Sequence, residues 1–138
     1  MSSPPLTSNS VADSGSAQRV RIYHNPQCAR SREALEYLQQ HGIEHEVVEY
    51  LLNPLTVEEL RQLVRMLGIA PSSLIRVADF KRLGLSPTSD YEKLLELLAA
   101  HPVLMDRPII VAGNEARIGR PIETLHGMFS NAPIRRKP

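Results

Sequence analysis

Between Arg19 and Tyr50 the chain passes from an apolar run through a turn into an amphipathic helix, and then from a glycine into a second apolar run. Val20, Ile22 and Tyr23 make Arg19 to Tyr23 a short strand. Ala34, Leu35 and Leu38 recur at helical spacing in a helix from about Cys28 to His41, and Gly42 stands where a C-cap glycine belongs. Glu46 to Tyr50 reads as a second strand. Strand, helix and strand within about 30 residues form a βαβ unit, whose strands run parallel because the crossover helix returns the chain to its starting edge. The chain is therefore committed to the α/β class within its first third.

The remainder extends that unit. Thr56 and Glu59 match a capping box, Leu60, Leu63, Val64 and Leu67 form one apolar stripe behind it, and Gly68 closes the helix. Pro71 to Ile75 suits a single helical turn, and Gly84 with Pro87 marks a loop. Asp90 can cap a helix carrying Leu94, Leu95, Leu97 and Leu98, which Pro102 stops. Pro108 to Val111 is an apolar strand, Gly113-Asn114 suits a two-residue hairpin turn, and Ala116 to Gly119 is its partner. Pro121 can open a terminal helix with Leu125, Met128 and Phe129 on its inner face. The expected fold is a four-stranded mixed sheet flanked by helices on both faces, a thioredoxin-like architecture with a helical insertion. Residues 1–18, rich in Ser, Pro, Ala and Asn, are expected to be a disordered tail. Residues 19–130 would form the domain, and 131–138 a frayed basic end.

Sixteen basic and fifteen acidic residues give a net charge of +1, which argues against a polybasic nucleic-acid binder. No run approaches the roughly 20 apolar residues of a membrane helix. No basic start precedes an apolar stretch, so no secretory signal is expected. A single cysteine excludes an intrachain disulfide and suits a reducing compartment, the cytoplasm. One cysteine and five scattered histidines lack metal-ligand spacing, and phosphate-cradling glycine loops are absent. No metal and no bound cofactor is expected.

The lone cysteine, Cys28, falls where the first strand turns into the helix. A sulfur at a helix N-terminus faces unpaired N–H groups and the positive end of the helix dipole, and both favour the nucleophilic thiolate. Ser31 lies one turn on, so Cys28-Ala29-Arg30-Ser31 occupies the frame of a redox Cys-x-x-Cys with oxygen in place of the second sulfur. Such a site cannot close its own disulfide, and a redox turnover would borrow an outside thiol. His24 could donate to the sulfur if protonated, as could the Ser31 hydroxyl. Arg76, Arg107, Arg117 and Arg120 follow downstream, and Arg107 and Arg120 each precede a proline at a strand end. Guanidinium forks match tetrahedral oxyanions. Plainer readings stand beside these. A lone cysteine is often a small buried hydrophobe, Ser31 could bond its own helix backbone, and arginines commonly form surface salt bridges. Arg30 and Arg32 read as solvated helix charges, and alternation turns Arg117 away from the face of Ile118.

Three segments in order carry a resemblance: His24-Asn25-Pro26-Gln27-Cys28-Ala29-Arg30-Ser31-Arg32, Arg107-Pro108-Ile109-Ile110-Val111, and Ala116-Arg117-Ile118-Gly119-Arg120-Pro121. Together they resemble the glutaredoxin-coupled arsenate reductase family over about residues 20 to 129. The resemblance implies a thioredoxin-like fold and a role in arsenic resistance. It implies Cys28 as nucleophile, His24 and Ser31 as stabilisers of its thiolate, and Arg76, Arg107 and Arg120 as anion-binding residues. It further implies a cis bond before Pro108, arsenate as substrate, glutathione as co-substrate and glutaredoxin as partner; a monomer is expected. The segment after Arg76 is about two residues shorter than is usual in the family, roughly half a helical turn, which makes Arg82 a rival to Arg76. Two further functions fit the residues: a thiol oxidoreductase acting on glutathione mixed disulfides, and a redox-sensing regulator that binds RNA polymerase.

Overall fold

The computed structural model describes residues 19–119 and 122–129. The expected tail over 1–18, the site residue Arg120, the helix-opening Pro121 and the end over 131–138 lie outside the described residues. The elements run β1 (Val20–His24), α1 (Ala29–Gln40), β2 (Glu46–Glu49), α2 (Val57–Leu67), a 3-10 turn (Pro71–Leu74), α3 (Val77–Arg82), α4 (Tyr91–Ala100), a second 3-10 turn (Pro102–Leu104), β3 (Ile109–Ala112), β4 (Glu115–Ile118) and α5 (Glu123–Phe129).

The sheet has four strands in the order β2-β1-β3-β4. β1 and β2 are parallel, with Tyr23 opposite Val48 and His24 opposite Glu49. β3 lies antiparallel to both β1 and β4. This is the expected α/β, thioredoxin-like sheet, with the helical insertion between β2 and β3. Alternation along the strands splits the core in two. Tyr23, Ile109 and Ala116 pack with Leu60 and Leu63 of α2 and Leu95 and Leu98 of α4. On the other face Val20, Ile22, Ile110 and Ala112 pack with Ala34 and Leu38 of α1 and with Leu125, Met128 and Phe129 of α5.

Local chemistry sets the element ends. Thr56 Oγ1 accepts from the Glu59 N–H at 3.1 Å while Glu59 Oε1 accepts from the Thr56 N–H at 2.9 Å, the reciprocal pair of a capping box. Gly68 ends α2 in the left-handed region at φ 69°, where a Cβ is strained. Asp90 Oδ1 caps α4 by accepting from the Lys93 N–H at 2.8 Å. Gly113 and Asn114 link Ala112 to Glu115 across the β3–β4 hairpin.

The insertion is tied back to the start of β3. Ile75 and Met105 form an isolated antiparallel bridge. The Arg76 N–H donates to the Leu104 carbonyl and the Asp106 N–H to the Leu74 carbonyl, each at 2.8 Å. These bonds bring the segment ending at Arg76 alongside the segment leading into Arg107.

Candidate active site

The β1–α1 turn is fastened by its own polar atoms. The Cys28 N–H donates to the Asn25 carbonyl at 3.0 Å, and the Gln27 N–H donates to Asn25 Oδ1 at 3.0 Å, an Asx turn that bends the chain into the helix. Cys28 is the N-cap residue of α1, in extended conformation with φ −101° and ψ 122°. Its carbonyl accepts the first helical bond, from the Arg32 N–H at 3.0 Å. Arg32 also clips the loop from outside, Nη1 donating to the Pro26 carbonyl at 2.8 Å.

Beneath this turn lie His24, Asn25 and Ser31, all buried. Ser31 Oγ accepts from the Asn25 N–H at 3.0 Å and stands 2.6 Å from His24 Nδ1. Burial pulls the His24 pKa below its ordinary value, and the charge of Arg32 lowers it further, against the opposing pull of Glu49 and Ser31. His24 Nδ1 and the Ser31 hydroxyl share a hydrogen bond whose donor is set by the tautomer of the ring. The expected contacts to sulfur are thus redistributed. The Ser31 hydroxyl turns to His24, and the Ser31 backbone N–H faces the thiol and lowers its pKa without forming a cap hydrogen bond to the sulfur.

Cys28 is half-buried. Burial pushes its thiol pKa up, but the Ser31 N–H, the Arg107 guanidinium and the Arg30 N–H together pull it below the ordinary value. Hydrogen bonds to the charged form outweigh desolvation. The thiol therefore ionises more readily than a free cysteine, by means of two N–H groups of the first helical turn and one guanidinium.

Arg107 reaches the thiol from the far side of the insertion. Its peptide bond to Pro108 is cis. The Pro108 carbonyl accepts from the Gly119 N–H at 2.7 Å. A Cβ on Gly119 would lie 2.7 Å from Ile110 Cδ1 and 3.1 Å from Pro108 Cγ, so a side chain there would have to displace the tip of the buried Ile110. Among the described residues, Arg107 Nη1 is buried with no hydrogen-bond partner. An unfilled buried donor costs about 1–3 kcal/mol, more when charged, and such an atom in a reactive site marks a place for a ligand.

Arg76 and Arg82 meet on one carboxylate. Arg76 Nη1 donates to Asp79 Oδ2 at 2.7 Å and Arg82 Nη2 to Asp79 Oδ1 at 2.8 Å. Asp79 is buried, and the hydrogen bond from Arg82, joined by the charges of Arg76, Arg82 and Arg107, holds its carboxyl below the usual carboxylate range against burial. The Arg76 side chain is 36% exposed and that of Arg82 61%, so Arg76 is the inner of the two. Arg117 lies on the far side of β4, bonded to Glu115 and to the Thr124 carbonyl. Sequence reasoning passed over Asn25, Tyr50 and Asp79. Their signal was position: Asn25 and Tyr50 follow the ends of two parallel strands, where α/β sheets present their sites.

No cluster of His, Cys, Asp and Glu among the described residues has the arrangement to hold a metal ion. No helix among them is long and apolar enough to cross a membrane.

A thioredoxin-like sheet with one activated cysteine at the first helix N-terminus and a guanidinium against its sulfur defines a class of thiol-reactive proteins. The chain belongs to the ArsC family, whose profile matches residues 23–128. It is 42% identical over 114 residues to an arsenate reductase of Neisseria meningitidis, covering 80% of this chain and 97% of that protein. An uncharacterized Escherichia coli K12 protein is 44% identical over 110 residues, covering 77% and 92%. The solved structure of an arsenate reductase from Vibrio cholerae superposes with a TM-score of 0.72 at 39% identity, covering 82% of this chain and 99% of that one.

Proposed function

We propose that this protein is an arsenate reductase of the cytoplasm, with Cys28 as nucleophile, arginines holding the oxyanion, glutathione as co-substrate and glutaredoxin as final thiol donor. The observation that carries this reading is the pairing at Cys28: a thiol shifted toward its anion, beside an arginine with a buried Nη1 left unfilled. A negative nucleophile approaches a negative substrate only where fixed positive charge offsets the repulsion, and Arg107 supplies it. The family relatives named arsenate reductase support the choice of oxyanion.

Cys28 Sγ attacks arsenic, an As–S bond forms and one oxygen leaves as water. Glutathione adds its thiol to arsenic and a second water leaves. The glutaredoxin thiol attacks the glutathione sulfur, the As–S electron pair stays on arsenic, As(V) becomes As(III), and a glutaredoxin–glutathione disulfide departs. Water cleaves the remaining As–S bond, releasing arsenite and the Cys28 thiol. An outside thiol is required because no second cysteine exists in the chain to resolve the adduct. His24 and Ser31 serve as positioning residues, holding the turn so that the α1 N–H groups face the sulfur. Arg76, set by Asp79, adds to the anion's positive surroundings, and Arg120, outside the described residues, is assigned an anion-binding role on its motif alone.

The test is arsenite production from arsenate with glutathione and glutaredoxin. Cys28→Ser is expected to abolish it while the fold survives by circular dichroism. Undiminished activity in that variant contradicts the proposal. Efficient turnover of a glutathione mixed disulfide with none on arsenate would transfer the site to the thiol-oxidoreductase reading.

A further inference from the structure

Two buried side-chain polar atoms lack a hydrogen-bond partner among the described residues: Arg107 Nη1 and Tyr50 Oη. Tyr50 is fully buried, in the cluster on the α2 and α4 face of the sheet. A ring that only filled this core would do so as phenylalanine, without an unfilled hydroxyl. The fold explains where that hydroxyl is aimed. His24 and Glu49 are register partners at the ends of parallel strands, so Asn25 and Tyr50 leave the sheet side by side on the edge where Cys28 begins its helix. The charges of Arg107, Cys28 and Arg76 act on the phenol, and the Asn25 side chain approaches its oxygen as a donor short of a well-formed hydrogen bond, so it is the hydroxyl proton that has no acceptor among the described residues. The unfilled hydroxyl and the unfilled guanidinium nitrogen therefore belong to one place, beside the sulfur.

We propose that Tyr50 is a substrate-binding residue, its hydroxyl donating a hydrogen bond to an oxygen of the tetrahedral oxyanion that Arg107 Nη1 also binds when Cys28 attacks. This rests on the function proposed above and adds a neutral donor to its charged ones. Burial, the largest influence on the phenol, keeps it protonated, so it donates to the anion without adding negative charge to the site. A neutral O–H against an oxyanion is a charge-assisted bond, and one made from a rigid ring needs little ordering.

The test uses the full chain with Tyr50→Phe, which deletes the oxygen and keeps the ring. Half-protection of Cys28 from alkylation by arsenate, without glutathione, is expected to require roughly tenfold more arsenate than in wild type. The alkylation rate against pH without arsenate is expected to stay near wild type, and the thermal midpoint to stay level or rise. In unmutated protein carrying 3-fluorotyrosine, one buried tyrosine's 19F line is expected to move in step with the arsenate titration. Unchanged protection in Tyr50→Phe, alongside its loss in Arg107→Ala, would overturn the role of Tyr50 and leave the proposed function standing. A lowered midpoint with unchanged protection would make Tyr50 structural and overturn it equally. Failure of arsenate to protect the wild-type thiol would overturn the proposed function and this inference with it.

Discussion

On the α1 side of Cys28, polar groups are turned inward on one another; on the insertion side, they are left open. Ser31 Oγ has the Asn25 N–H and His24 Nδ1 as partners, and Asn25 Oδ1 takes the Gln27 N–H. On the other side, Tyr50 Oη and Arg107 Nη1 are both buried and neither has a well-formed hydrogen bond among the described residues. The first group is a scaffold, whose bonds fix a turn and so fix a helix N-terminus. The second is the receptor proposed above, in which donors without acceptors are held at a cost in stability. The lesson is that burial alone does not separate structure from function in a polar residue. Whether its hydrogen bonds are already spent does.

Arg107→Ala breaks the receptor most severely. Arsenate kcat/KM is expected to fall roughly 100-fold, the scale of a hydrogen bond to a charged group, and the pH profile of Cys28 alkylation to move upward because a stabiliser of the thiolate is gone. Steady-state kinetics and iodoacetamide rates check both. Ser31→Ala attacks the scaffold instead. It strands the Asn25 N–H and His24 Nδ1, so unfolding in urea is expected to show a loss of about 1–3 kcal/mol. The alkylation profile is expected to move little, because the Ser31 N–H at the sulfur is retained. A large upward move would give the hydroxyl a direct hold on sulfur and erase the distinction drawn here.

The same contrast appears with pH. The His24 pKa is lowered by folding, so the unfolded chain takes up its proton first as pH falls. Stability contributed by neutral His24 is complete above the ordinary histidine range and drains away below it. Denaturation from roughly pH 7 to 5 is expected to weaken the wild type more than His24→Gln. The smallest effect belongs to Asp79→Asn, which loosens Arg76 without deleting it. A several-fold rise in KM for arsenate with kcat nearly kept is expected, and Asp79→Glu is expected to recover part of it.

The scaffold was the more legible region because it is local. The strand-to-helix junction at Cys28, the Thr56–Glu59 box and the Asp90 cap are written within a few residues, and strand and helix ends fell within a residue or so of expectation. The cis bond before Pro108, implied by resemblance alone, is present. α3 was missed because its six residues, Val77 to Arg82, carry no apolar stripe. Its acidic residue is instead gripped by an arginine at each end. Tyr50 was read as the last residue of a strand. Its hydroxyl acquires meaning only from parallel pairing with β1 and from an arginine 57 positions later (107 − 50). Likewise, the choice between Arg76 and Arg82 could not be read from spacing, since both guanidiniums converge on Asp79.

The most direct measurement of the central claim is a pH titration of the Cys28 thiolate by absorbance or alkylation rate, with and without arsenate. The midpoint is expected below that of ordinary cysteine, with the thiol shielded by arsenate. A midpoint at or above the ordinary value, indifferent to arsenate, would contradict that claim.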